Sequence, residues 1–264
     1  MDQSYNFIGT KVSALTYADL YAAIDSWISD KGSRSHNISI INSYCATLAY
    51  QNPNLARIYD QSDLIGPDAM PFVYWIRLCL GVPCDQFDGS SLLIKLAEKA
   101  KEKNYTFFLY GGDPEIVKNM KKNIESRYPY IRIVGFISPP FRLLTEQEDR
   151  DFCDQINSLK PDIILVGLGT PKQDYWIDDH IYKIRGSVMI NSGALFDFFG
   201  GRIKRAPRII SILCLEWLYR LCSKDFKRLW RRYTILNLIF LWNFFLQVIG
   251  LKVIKRERLK RVEV

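Results

Sequence analysis

Apolar positions in the first two hundred residues follow two alternating patterns. Short continuous apolar runs occur at "NISIINS" (37–43), "TFFLYGG" (106–112), "IRIVGFI" (131–137) and "DIILVGLG" (162–169), with a further strand and turn in "SVMINSGALFDFFGG" (187–201). Runs this short, rich in β-branched and aromatic residues and closed by glycine, read as buried strands. Between them, apolar residues recur at helical spacing in "DLYAAIDSWISDK", "DPEIVKNMKKNIESRYP" and "TEQEDRDFCDQINSLKP". Asp113 followed by Pro114 is an N-cap with proline at the first helical position. Thr145 with Glu148 three residues later is a capping-box pattern, and Pro161 stops that helix. A last helix follows Gly-Thr-Pro at 169–171.

Strands that are apolar throughout, separated by helices, predict a parallel sheet covered on both faces. The fold expected is therefore α/β and Rossmann-like, with helices on both faces of the sheet. In such sheets ligands bind beyond the carboxyl ends of the strands. That places "GLGTPKQ", "YGGDP" and Asn42 where a site is expected. Neither glycine loop is a standard phosphate motif, because GxxxxGK[ST] is absent and GxGxxG does not occur in frame. On spacing alone, turn glycines and ligand-cradling glycines are equally good readings.

Charge separates the chain into two parts. Residues 202–264 carry 16 Lys or Arg against four Asp or Glu, while the first 201 hold 20 basic and 24 acidic residues. Basic residues at 224, 227, 228, 231 and 232 share one helical face. The apolar run 235–251 follows, broken by Asn237, Asn243 and Gln247. At ~1.5 Å per residue it spans roughly 26 Å as a helix, slightly short of a bilayer core. The division expected is a catalytic α/β domain over 1–201 and a basic, apolar helical appendage over 202–264. A basic face joined to an aromatic-rich apolar run reads as a segment lying on an anionic membrane surface. The alternative is a pair of helices docked on the body or in a homo-oligomer interface. Nucleic acid is disfavoured, since the aromatic residues do not alternate with basic ones as stacking platforms would.

The six cysteines form no CxxC pair and there are two histidines, His36 and His180. This argues against zinc and for a reducing compartment. The first residues lack a basic stretch followed by an apolar run, so no secretory signal is expected.

Five stretches taken together resemble a known family: "DLIGPDAMPFVYWIRLCLG", "FFLYGGDPEIVKNM", "DIILVGLGTPKQDYWI", "GALFDFFGGRIKRAPRIISILCLEWLYRL" and "FKRLWRRY". They are similar to the bacterial WecG/TagA/CpsF glycosyltransferases, from about Ile8 to about Leu241. The resemblance implies transfer of a sugar from a UDP-sugar to a lipid-diphosphate-linked sugar in surface-polysaccharide synthesis. It implies inversion, no metal and no cofactor, with the enzyme peripheral on the cytoplasmic face of the bacterial membrane. It also implies residue roles. Asp68 in "GPDAM" matches the proposed general base. Gly167, Gly169 and Gln173 match a "GxPxQ" motif, with Gln173 toward uracil or sugar and glycine amides toward the diphosphate. Gly111 and Gly112 match a strand-end glycine pair, and Asn42 matches a strand-end asparagine among the substrate-binding residues. Arg205, Arg220 and Arg231 match appendage arginines that would neutralise phosphate through bidentate hydrogen bonds.

Several positions depart from the family pattern, among them Asp174 in place of glutamate and "PDAMP" in place of "PDGMG". Ile40 stands where threonine is frequent, Gln86 where arginine is usual and Ser91 where aspartate is usual. These departures leave the donor sugar open between N-acetylmannosamine and another hexose, such as glucose. The rivals are a nucleotide-sugar oxidoreductase or epimerase, disfavoured by the missing dinucleotide fingerprint, and a membrane scaffold that binds a nucleotide sugar without turnover.

Overall fold

A computed structural model describes residues 3–203, 210, 230 and 234–251. Its strands are β1 (Ser4–Phe7), β2 (Thr10–Ser13), β3 (His36–Ile41), β4 (Leu64–Pro67), β5 (Thr106–Gly111), β6 (Arg132–Ile137), β7 (Ile163–Gly167) and β8 (Val188–Asn191). Its helices are α1 (Tyr17–Asp30), α2 (Ser43–Gln51), α3 (Pro53–Asp60), α4 (Met70–Leu80), α5 (Gly89–Lys103), α6 (Pro114–Arg127), α7 (Glu146–Leu159), α8 (Lys172–His180), α9 (Gly193–Phe199) and α10 (Ile235–Val248). The class is α/β, as the pattern predicts. β1 and β2 form an antiparallel hairpin, and the other six strands form one sheet in the order β4-β3-β8-β7-β5-β6. The pairings β3–β8, β8–β7, β7–β5 and β5–β6 are all parallel.

Contacts divide the chain into two interleaved units. One comprises Met1–Thr16, Ile40–Phe87 and the chain from Arg205 onward, and the other Tyr17–Ser39 with Asp88–Lys204. In the second unit, β5 and β7 are apolar along both faces. Phe108, Tyr110, Ile164, Val166 and Met189 share a cluster with Cys153 and Ile156 of α7 and Ile177 of α8. Their neighbours Phe107, Leu109, Ile163 and Leu165, which point the opposite way, are equally buried. The helix ends form as their residues dictate. Asp113 caps α6 by accepting from the Glu115 amide, with Pro114 in the first turn. At α7, Thr145 Oγ1 accepts from the Glu148 amide, while Glu148 accepts from the Thr145 amide and pairs with Arg142. Arg142 and the Thr145 contacts hold the Glu148 carboxyl down to about 2.

The stretch 187–201 departs from expectation. It was expected as a strand and turn, but the strand ends at Asn191 and α9 begins at Gly193. A seven-residue helix is too short to show helical periodicity in the sequence.

In the first unit, the core joins the hairpin to α2, α3, α4 and α10. Phe7 stacks on Phe72 at 4.1 Å, and Phe240 and Phe244 of α10 stack beside them. α10 turns both aromatic rings and amides toward this core. Its amides face inward: Asn237 accepts from Ser43 Oγ at 2.7 Å, and Gln247 accepts from the Ile8 amide and donates to the Asn6 carbonyl. Asn243 is 7% exposed, whereas Leu238 is 66%, Leu241 58%, Trp242 62% and Phe245 53% exposed. Those four share the outward face at helical spacing. Among the described residues no helix is long and apolar enough to cross a membrane.

Replacing Thr145 by Ala removes one half of the capping box. Thermal or urea unfolding should register a loss of about 1 kcal/mol, with an unchanged fold by circular dichroism.

Candidate active site

In the first unit, polar groups gather where β3 and β4 end. The β3 strand leads into Asn42, which caps α2. Its backbone is extended (φ −129°, ψ −174°) and its Oδ1 accepts from the Cys45 amide at 3.2 Å. The same side chain donates from Nδ2 to Asp68 Oδ2 at 2.7 Å. Asp68 follows β4 directly, and its amide donates to the Ile41 carbonyl at 2.8 Å. Gln86 Nε2 donates to the Asp68 carbonyl at 2.7 Å, and the Phe87 amide donates to the Pro67 carbonyl. Both backbone and side chain of Asp68 are therefore held. The structure brings Asn42 and Asp68 into contact, and it places Gln86 against the same aspartate. Ile40 lies half-buried in β3, next to Gly66.

In the second unit, the glycines stand where β5 and β7 end. Gly111 and Gly167 are partners in the β5–β7 register. Gly111 has φ +119°, and a Cβ there would lie 2.6 Å from the Gly167 carbonyl carbon. A Cβ on Gly167 would lie 2.2 Å from Phe196 Cδ2. Gly112, at φ +72°, also abuts Phe196. These three glycines thus have a packing reason: strand ends and the α9 ring approach too closely for any side chain. Gly169, at φ +78°, differs, because nothing lies within 4 Å of where its Cβ would be.

The loop after β7 is braced from within. Gln173 is 4% exposed; its Oε1 accepts from the Gly169 amide at 3.1 Å and its Nε2 donates to Thr170 Oγ1. The Thr170–Pro171 peptide is cis. Gly193, at the start of α9, packs closely on this loop: a Cβ there would lie 3.0 Å from Gln173 Oε1 and 3.3 Å from Gly169 Cα. Gln173 is placed to shape the loop, and the amides of Gly112 and Gly169 already donate to Gly167 and Gln173 respectively. Ser91 lies in the first turn of α5, its amide donating to Asp88. Arg205, Arg220 and Arg231 fall outside the described residues, as does the basic helical face at 224–232 apart from Trp230.

Sequence reasoning missed Asn191, Phe196 and the structural part of Trp176. Asn191 closes β8, is 5% exposed and donates to Asp174 Oδ1 at 2.8 Å. An asparagine ending an apolar run, as at Asn42, was the available signal. Trp176 stacks between Tyr110 and His180, with ring centroids at 4.0 and 4.2 Å. It belongs to the core of its unit.

Among the described residues one group has metal-ligand chemistry. Ligand atoms of Asp149, Cys153 and His180 lie within 4.8 Å of one another. Both Asp149 oxygens are already engaged, one by His180 Nε2 at 2.7 Å and the other by Lys183 Nζ at 2.8 Å. Burial works to raise the Asp149 carboxyl, but these hydrogen bonds hold it below its ordinary value. Burial pushes the Cys153 thiol up to about 11, which keeps it protonated and a poor ligand. The group therefore has the character of an ion-pair cluster tying α7 to α8.

Ligands of parallel α/β sheets bind beyond the carboxyl ends of strands, where the first unit holds the Asp68 carboxylate and the second its glycine turns. The sequence supplies the family: residues 5–253 match the profile of the glycosyl transferase WecG/TagA/CpsF family, and the chain belongs to it. Curated relatives bear the name N-acetylglucosaminyldiphosphoundecaprenol N-acetyl-beta-D-mannosaminyltransferase. One from Bacillus subtilis is 31% identical over 196 residues, covering 74% of this chain and 73% of the relative. One from Bacillus spizizenii is 30% identical over 185 residues, covering 70% and 69%. One from Staphylococcus aureus is 33% identical over 150 residues, covering 56% of each chain.

Gly167→Ala forces a methyl group into the Phe196 ring, and overpacking of this kind costs roughly 1–3 kcal/mol. Thermal denaturation should show that loss, and the double variant Gly167→Ala/Phe196→Leu should recover part of it.

Proposed function

We propose that this chain transfers a hexose or N-acetylhexosamine from a UDP-sugar to a polyprenyl-diphosphate-linked sugar. The reaction is a single inverting displacement. An acceptor hydroxyl oxygen attacks the anomeric carbon, the bond from that carbon to the UDP oxygen breaks, and Asp68 takes the hydroxyl proton. A positioned carboxylate contributes about 10²- to 10⁴-fold in such a role. The observation that carries the reading is the held Asp68 carboxylate at the end of β4 in a chain of this family. The Gly169 turn, with open space at its Cα, is the candidate surface for the donor diphosphate. Arg205, Arg220 and Arg231 offset the phosphate charge of UDP or of the acceptor. The donor and acceptor are substrates, and the scheme uses no metal and no cofactor.

The 202–264 appendage seats the enzyme on the anionic inner surface of the bacterial cytoplasmic membrane. Support comes from α10, whose outward face of Leu238, Leu241, Trp242 and Phe245 has the composition of an interfacial helix. Basic residues on both sides of it add attraction to anionic lipid.

Purified full-length protein in detergent, given a panel of UDP-hexoses and polyprenyl-diphosphate-linked N-acetylglucosamine, should release UDP in an acceptor-dependent manner. Asp68→Asn should lower that rate by about 10²-fold or more. An Asp68→Asn protein as active as wild type refutes the assigned base, and binding of UDP-sugar without turnover under any pairing favours the scaffold. Replacing Leu238, Trp242 and Phe245 by Ser, Gln and Gln should leave folding intact and reduce sedimentation with anionic liposomes. Undiminished sedimentation removes α10 from the membrane contact.

A further inference from the structure

We infer that Asn42 acts as a positioning residue for the Asp68 carboxylate rather than as a contact to the substrate. This rests on the reading of Asp68 as the general base.

The two ends of the Asn42 amide meet different partners. Oδ1 of Asn42 accepts from the Cys45 amide, a donor that an α-helix leaves without a partner in its first turn. Nδ2 faces Asp68 Oδ2 at 2.7 Å. Turning the amide over would set its oxygen against a carboxylate oxygen and its NH₂ against a backbone N–H. Both contacts would become repulsive, so a single orientation survives. The helix cap thereby determines which group meets Asp68, and that group is a donor.

The seat of Asn42 is itself fixed. Its carbonyl accepts from the Ala46 amide at 2.9 Å, within α2. The adjoining Ser43 donates to Asn237 of α10, and Thr47, one turn further on, donates to the Ser43 carbonyl. Asp68 is held through its amide by Ile41, the residue before Asn42, and through its carbonyl by Gln86. A carboxylate whose backbone is pinned on both sides and whose Oδ2 meets a fixed donor has its plane and direction set. A proton acceptor needs that, because misplacement by 1 Å can cost about 10²-fold in rate. Sequence comparison alone puts Asn42 among the substrate contacts. The geometry gives each end of its side chain a partner inside the protein.

The test separates capping from positioning, because Asp and Ser cap a helix about as well as Asn. Asn42→Asp keeps the cap but sets a second carboxylate against Asp68. Asn42→Ser keeps the cap with a side chain too short to bridge the gap. Steady-state UDP release is measured with UDP-N-acetylmannosamine and UDP-glucose, using polyprenyl-diphosphate-linked N-acetylglucosamine as acceptor, beside melting temperatures and Asp68→Asn. Positioning predicts kcat lowered about 10- to 100-fold in both capped variants, with KM for the donor and melting temperature near wild type. A raised donor KM with kcat preserved overturns the inference in favour of substrate contact. Wild-type kcat in both, with loss only in Asn42→Ala alongside a lower melting temperature, reduces Asn42 to a helix cap. If Asp68→Asn is itself fully active, the base assignment falls and the inference falls with it. An inactive Asp68→Asn beside fully active Asn42 variants sinks the inference alone.

Discussion

Strands buried on both faces leave little room for polar side chains along their length, and this constraint organises β5 and β7 of the second unit. Apart from Thr106, which pairs with Asp162 where β5 begins, β5 and β7 are built of apolar and aromatic residues up to the glycines at their carboxyl ends. There the chain changes character within one or two residues, to Gly111 and Gly112 after β5, to Gly167 and Gly169 at β7, and to Asn191 at β8. The close approach of Gly111 to Gly167, with Phe196 lying over both Gly112 and Gly167, lets the chain leave the sheet without opening a gap. In the first unit a similar transition, at the ends of β3 and β4, produces Asn42 and Asp68.

The polar residues at these ends are mostly occupied with one another. Gln173 braces its own loop, Asn191 holds Asp174, and Asn42 divides its amide between a helix and a carboxylate. Each such contact removes a way for the site to relax. Preorganisation of this kind places stabilising groups before the reaction begins, so little has to reorient as charge develops. Gln173 and Asn42, which motif matching puts among the ligand contacts, also carry hydrogen bonds within the loops and turns around them.

Much of the second unit was legible in the sequence because its signals are local. Asp113–Pro114 and the Thr145–Glu148 box act within a single turn, and both ends formed as their residue types require. The helix α9 was missed because its seven residues show no periodicity and open on Gly193, a residue that reads as a turn. The hairpin β1–β2 and β4 are four-residue strands without flanking punctuation strong enough to separate them from loops. The link from Asn42 to Asp68 spans 26 positions and depends on where β4 ends, which no local pattern encodes. The amides of 235–251 were visible as interruptions of an apolar run, but their direction was not. Asn237 and Gln247 point inward because the partners waiting for them, Ser43 and the hairpin backbone, are more than 190 positions away.

That separation has a consequence for how the protein is made. The hairpin is made long before α10, yet Phe7 is completed by Phe244, and the Asn6 carbonyl by Gln247, 241 positions later. Contacts of such span form late, because the intervening chain must be closed before they contribute. The first unit must therefore wait, with its aromatic side chains uncovered, until α10 is synthesised. The second unit, built from shorter crossovers, has its residues available earlier. A nascent chain that stalls before α10 would expose Phe7, Phe72 and Trp75 together, a surface suited to chaperone capture and prone to aggregation. The outward apolar stripe of α10 reaches its final position only when its inward face closes this core, so that exposed stripe and the covered core form together.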